Sequence, residues 1–246
     1  MIHISLKSDK IFSFLNFPVT NSLILSIIVL LLSFFSFLYY SKLATRKNKN
    51  IFYYFMNFIL RAIYNLFKSI FNKDVVGFFP LVGSFFFFIL IHNEIGLFPG
   101  IGSLLINIST HGDKELVPLL RGGTTDLNTT FALALITVIY AQYVGIKFLG
   151  LKEYISKFIN FSSVMSFFVG IMEAISEFSR IISYSFRLYG NIFAGEVIIA
   201  IMAFLFPLLL SFPFLLFEIF VGIIQALVFS MLSAVFYNLA MQKAHY

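Results

Sequence analysis

Long apolar runs separated by short polar or basic stretches set the pattern of this chain. Residues 21–41 (NSLILSIIVLLLSFFSFLYYS) are apolar for about the length a helix needs to cross a bilayer core of ~30 Å. Tyr39 and Tyr40 close the run, where aromatic residues favour the interface, and Lys42, Arg46, Lys47 and Lys49 follow at once. The positive-inside rule puts that end on the matrix or cytoplasmic side. Residues 1–20 are short and mixed and give little orientation signal.

Residues 51–72 carry Asn57, Arg61, Asn65, Lys68 and Asn72 at spacings of four and three. They draw one polar stripe down an apolar helix, which predicts a helix lying in the inner interface, with a tilted span as the alternative. Lys73 and Asp74 follow. Residues 75–98 form the next span, loosened at its start by Gly77, Pro80 and Gly83, with His92, Asn93 and Glu94 near its far end. The stretch from Pro99 to Thr125 reads as a polar, Gly-rich outer loop of balanced charge, in which Gly100 and Gly102 make a turn and His111 is solvated. Residues 127–149 return inward, and Lys147, Lys152 and Lys157 mark the inner side again.

Residues 158–205 contain no proline and read as one helical stretch of about 70 Å, far longer than the bilayer core. It must lie steeply tilted or break near Gly190 or Gly195. Pro207 and Pro213 bracket a turn, residues 214–240 form the last helix, and Lys243 and His245 end inside. The fold class that follows is an all-α polytopic membrane protein of one domain. It has several transmembrane helices, an interfacial amphipathic helix and a long, strongly tilted C-terminal hairpin, a shape suited to the flank of a cylindrical partner.

Polar groups inside this hairpin carry the candidate chemistry. The segment EAISEFSRIISYSFRLYGNIFAGE (173–196) holds two arginines and three glutamates within an apolar run. One Arg at the centre of a bilayer helix costs roughly 3 to more than 10 kcal/mol unless it is paired or wetted. At ~100° per residue, Glu173, Arg180, Arg187 and Asn191 fall within a stripe of roughly 60°, while Glu196 points almost opposite to Arg187. On the last helix, Glu218 and Gln225 share a face, and an antiparallel hairpin can set Gln225 beside Arg187 and Glu218 beside Glu196. A buried Arg stays protonated, so Arg187 is a fixed charge that can block a proton or hold a carboxylate. Glutamates in a partly wetted cleft can take up and release protons. The alternative is that Arg180 and Arg187 pair with Glu173 and Glu177 only to lock the bundle.

Composition narrows the class. The chain has 246 residues, 60% hydrophobic and 11% charged, outside the range of soluble domains. Its net charge of +6 reports orientation, and no aromatic–basic patch suggests a nucleic-acid partner. Cys and Trp are absent and Phe numbers 35, a bias that suits an organelle genome or a reduced bacterial one. No transit peptide or cleavage signature precedes the first span, so an organellar protein of this kind is expected to be made inside the organelle. No phosphate loop, H-E-x-x-H, G-x-S-x-G or metal-like His cluster occurs, so neither ATP hydrolysis nor a cofactor is expected of the chain itself.

The segment FRLYGNIFAGE (186–196) resembles the R-L-x-x-N-x-x-A-G signature of subunit a of the F-type ATP synthase, the stator subunit beside the rotating c-ring. N-E-I-G-L-F-P (93–99), T-D-L-N-T-T (125–130) and the Glu218-to-Gln225 spacing are similar to further motifs of that family, in the same order. The resemblance implies that Arg187 faces the c-ring carboxylate with Gln225 as its neighbour. It implies an outer proton half-channel lined by Glu196, Glu218 and Asn191, and an inner one containing Glu173. Many relatives carry one His and one Glu where this chain has Glu196 and Glu218. The implied partners are the c-ring, peripheral-stalk subunit b, other membrane subunits, the lipid bilayer and protons. The implied site is the mitochondrial inner membrane, or a bacterial plasma membrane. Sodium coupling, or a secondary transporter or membrane scaffold, are the alternatives, though no internal repeat supports a transporter.

Overall fold

A computed structural model describes residues 8–14, 17–71, 75–98, 101, 104–110, 113–159, 163–206 and 211–242. Asn72, Lys73, Asp74, Pro99, Gly100, Gly102, His111, Pro207, Lys243 and His245, all named from the sequence, lie outside them. Among the described residues the chain folds into seven α-helices: α1 (Asn21–Ala44), α2 (Ile51–Phe71), α3 (Val75–Leu97), α4 (Leu127–Leu149), α5 (Leu151–Ser156), α6 (Val164–Leu205) and α7 (Ser211–Ala240). All but α2 and the short α5 are long and apolar enough to cross a membrane. The chain is thus an all-α polytopic membrane protein. In α2 the apolar residues gather on one face, with Ile63, Phe67 and Phe71 buried against the bundle.

Two small antiparallel hairpins lie within the segments expected to be a short, mixed stretch (residues 1–20) and a polar loop (residues 99–125). β1 (Lys10–Phe14) pairs with β2 (Phe17–Thr20), and β3 (Leu105–Thr110) pairs with β4 (Asp113–Pro118). LINIST alternates apolar and polar residues only over its middle four positions and DKELVP not at all, so the two-residue period that marks a strand is missing here.

Helix starts follow side-chain caps. Thr20 accepts from the Leu23 amide at 3.3 Å to open α1, and Ser163 accepts from the Ser166 amide at 3.1 Å to open α6. Residues 158–205 therefore do not form one helix from Phe158: the chain turns first, and α6 begins after the Ser163 cap. From there it runs 42 residues without a break at Gly190 or Gly195, a length of ~63 Å. The last helix starts at Ser211 rather than after Pro213. A proline in the first turn removes only an amide that has no intrahelical partner there. Between α4 and α5, Gly150 takes φ 83°, a left-handed turn that a side chain would strain.

Asp126 caps α4, accepting from the Asn128 amide at 2.9 Å, and ties three segments together. It also accepts from Ser8 at 2.6 Å and Ser22 at 2.7 Å, while Asn21 donates to the Pro118 carbonyl at 3.2 Å. Burial pushes the Asp126 carboxyl up, but the bonds from Ser8, Ser22 and Asn128 outweigh it and hold the group below the usual carboxylate range. The start of α1 and the α3–α4 loop thus meet at one end of the bundle. At the other end, Asn238 donates to the Ile70 carbonyl at 3.1 Å and Lys157 to the Gln242 carbonyl at 2.6 Å. These are the ends that the basic residues assign to the outer and inner sides.

The core lies where α7 packs between α3 and α6, with α4 behind α6. Buried Gly222, Ala226, Ser230, Ser233 and Ala234 let neighbouring helices come close to α7. Aromatic edges fill the remaining space: Phe229 meets Phe85 and Tyr184, and Tyr237 meets Tyr140 and Phe78. On its other side α6 presents Ile175, Phe178, Ile182 and Phe186 outward, an apolar stripe at helical spacing.

Candidate functional site

Helix α6 carries the site along its length, and the expected residues separate into three levels. At the middle, Arg187 is exposed on the outward face, and its side chain donates to Ser183 Oγ at 3.3 Å. Among the described residues no carboxylate lies within ion-pair distance of it. Gln225 bonds one turn further on, where its Oε1 accepts from Asn191 Nδ2 at 2.9 Å. The hairpin thus brings Asn191 and Gln225 into contact.

At the inner level, Arg180 takes both nearby carboxylates, Glu177 at 2.7 Å and Glu173 at 3.7 Å. Its guanidinium also sits 4.4 Å from the centre of the Phe236 ring. Gln142 donates to Glu177 at 3.0 Å and accepts from the Tyr154 hydroxyl. Burial, then the charges of Glu177 and Glu173, push the Tyr154 phenol up to about 12, so it stays a donor. These groups border an open cleft of about 280 Å³ with Lys157, Phe158 and Gln242 at its rim. The bundle-locking alternative therefore describes Arg180, and Arg187 has no share in it.

At the outer level, Glu218 and Glu196 do not meet. Glu218 is only 4% exposed, and its carboxylate lies flat on α6 at Gly195, where any Cβ would run into its Cδ. Only glycine leaves room for it there. Glu196, the next residue, turns the other way to Arg121, 3.8 Å off. Arg121 is 8% exposed and comes from the loop before α4. A cavity of about 390 Å³ opens between α6 and α7 beside Glu218, lined by Asn191, Ala194, Ile198, Phe214 and Phe217.

Three buried groups at this level are not singled out as site residues by sequence reasoning. Arg121 belongs to a loop whose balanced charge draws no attention to it. Glu94 and His92 read as polar residues at a helix end, yet His92 is fully buried and the Glu94 Oε1 is buried too. The available signal is position: both lie before the end of an apolar run, so a helical register places them inside the membrane layer.

Such a structure defines a polytopic membrane protein that keeps charge inside the apolar layer, with an unmatched cation on one long helix and an acidic cleft on either side of it. The family described as ATP synthase A chain matches residues 22–238. Proteins named ATP synthase subunit a are similar to this chain. The one from Moorella thermoacetica is 32% identical over 178 residues, 72% of this chain and 71% of its own length. The one from Desulforamulus reducens is 35% identical over 176 residues, 68% of this chain and 58% of its own. The one from Syntrophobacter fumaroxidans is 32% identical over 192 residues, 78% and 72%. The chain belongs to the ATP synthase subunit a family. It is a stator subunit of the membrane part of a rotary, ion-translocating complex and has no catalytic site of its own.

Proposed function

We propose that this chain conducts protons through two offset half-channels to and from the carboxylates of a c-ring that turns against α6 and α7. A proton enters from the outer side past Glu196 and Glu218, with Asn191 along the way, and neutralises a ring carboxylate. The ring advances, and the next carboxylate, on reaching Arg187, releases its proton toward the inner cleft at Glu173. Arg187, with the Asn191–Gln225 pair one turn away, keeps the two half-channels from joining. Each charge moved gains ~2.3 kcal/mol per 100 mV of membrane potential.

The observation that carries this reading is the exposed Arg187 without a carboxylate partner of its own among the described residues, on a helix where Arg180 is fully engaged. An uncompensated guanidinium in the apolar layer calls for an acidic partner from outside the chain. The ~63 Å length of α6 supports a strong tilt across the flank of a ring, and the one-sided α2 supports a seat in the inner interface. Peripheral-stalk subunit b and other membrane subunits would cover the remaining lipid-sized surface. Phe-rich, Trp-free composition favours the mitochondrial inner membrane; the bacterial sources of the relatives named above favour a plasma membrane instead.

In inverted vesicles holding the full complex, Arg187→Ala should abolish ATP-driven proton pumping while the detached soluble ATPase stays active. Normal pumping in that variant overturns the reading. Pumping that requires added sodium would replace protons by sodium as the coupling ion.

A further inference from the structure

Helices α3 and α7 converge around Gly222 on the outer half of α7. Gly222 lies one turn beyond Glu218, on the same face of the helix. From α3, Asn93 donates to the Gly222 carbonyl at 3.1 Å, which fixes the end of α3 against α7. From the residue after it, the Glu94 Oε1 reaches to 3.1 Å from where a Gly222 Cβ would stand. Glu94 thus meets α7 one turn beyond Glu218, on the face that carries Glu218. Each has a buried oxygen, Oε1 in both cases, that no group of the described residues bonds, and the Asn93 Oδ1 beside them is in the same position. Asn93 is 1% exposed and Glu218 4%.

The other polar groups nearby stand apart from this pair, although the Glu196 Oε2 and both His92 ring nitrogens are also buried and unbonded among the described residues. Glu196, next to the Gly195 seat of Glu218, faces Arg121. His92 packs edge-on against Phe88 and abuts Gly123, and Gln225 is taken by Asn191. No cation forms an ion pair with Glu94 or Glu218 among the described residues. Two carboxyls with buried, unbonded oxygens and no cation between them satisfy each other best when one of the two carries a proton that both can hold.

We propose that Glu94 is a second proton carrier of the outer half-channel, sharing one proton with Glu218 and passing it on to that residue. In the step, the O–H bond of the Glu94 carboxyl breaks and one forms on a Glu218 oxygen, and Glu94 takes its next proton from water on the outer side. The inference rests on the half-channel reading above and gives it a specific first pair, Glu94 with Glu218. Glu196, balanced by Arg121, then serves as a fixed charge at the mouth.

The test uses the whole complex in inverted vesicles, with pumping normalised to assembled complex. Glu94→Gln keeps the shape of the side chain and should lower pumping on the order of 100-fold, the low end of what a positioned proton carrier contributes. Glu94→Asp, which keeps the carboxyl, should pump within about threefold of the unaltered protein, a rescue that a purely structural role would not give. Glu218→Gln should match Glu94→Gln, and the double variant should be no worse than either alone, because the two act as one unit. Unaltered pumping in Glu94→Gln, equal loss in Glu94→Asp, or losses that multiply in the double variant would each overturn the inference. Arg187→Ala in the same vesicles separates the two claims. If it abolishes pumping while Glu94→Gln does not, only the role of Glu94 falls; if it pumps normally, the half-channel reading falls first.

Discussion

The two ends of α6 hold similar numbers of acidic groups and treat them in opposite ways. In the inner cleft every carboxylate has a named partner: Arg180 spans Glu173 and Glu177, Gln142 donates to Glu177, and Tyr154 donates to Gln142. In the outer cavity Arg121 faces Glu196 only at 3.8 Å, and Glu94, Glu196 and Glu218 each keep a buried oxygen unbonded among the described residues. A compensated network holds its charges in place, since each ionised group is already balanced by a neighbour. An uncompensated pair in a low-dielectric site is driven to acquire a proton or cation. The inner end therefore holds its charges in pairs, and the outer end leaves carboxylate oxygens without a partner among the described residues.

From that contrast, damage at the outer end should show first in transport, and damage at the inner end should show in stability as well as in proton release past Glu173. After the complete loss expected of Arg187→Ala, the largest effect belongs to Gly195→Ala. The new methyl group would collide with the Glu218 carboxylate, which must then leave its seat on α6. Because the displaced atoms are the far end of a flexible side chain, the fold should survive. Pumping should fall on the order of 100-fold, as for a reacting group moved by about 1 Å, with the amount of assembled complex unchanged. Normal pumping would mean that the seat of Glu218 does not matter. Arg180→Gln is the inner counterpart. It removes the cation that pairs with Glu173 and Glu177, leaving only Lys157 at the rim of the cleft, and should cost about 2 kcal/mol of stability, since Glu173 is partly exposed to solvent. Thermal unfolding of the purified complex measures it, and an unchanged transition would show that the inner network does not hold the helices.

The same contrast marks what the sequence can tell. That Arg187 and Asn191 lie on one side of α6, and Glu218 and Gln225 on one side of α7, is legible because helical spacing fixes which residues share a face, and α6 and α7 are long, regular helices. What spacing cannot fix is the sliding of one helix along the other. A shift of about one turn suffices to give Gln225 to Asn191 and to part Glu218 from Glu196. Arg121 and Glu94 come from a loop and from a third helix, and no periodicity along α6 or α7 can reach them. The hairpins β1–β2 and β3–β4 escape for a related reason, since a short strand carries too few alternations to stand out beside apolar runs of about twenty residues or more.

A third place, the Asp126 junction, sharpens the comparison with the smallest effect. It is polar and buried like the outer cavity, yet well bonded like the inner cleft, so it should behave as structure and not as transport. Asp126→Ala removes the cap of α4 and the acceptor for Ser8 and Ser22, at a cost of about 1–2 kcal/mol near neutral pH. The folded carboxyl lies below its ordinary value, so the stability it contributes is present above the unfolded value, about pH 4, and is lost as pH falls through the folded one. The gap between Asp126→Ala and the unaltered chain should therefore close in acid. Hydrogen exchange at the Asn128 amide, which loses its acceptor outright, reads this locally: faster exchange in the variant at about pH 7, with pumping retained. Equal exchange there would show that the cap contributes nothing. Lost pumping in a correctly assembled variant would place Asp126 with the reactive groups and erase the division between the two ends.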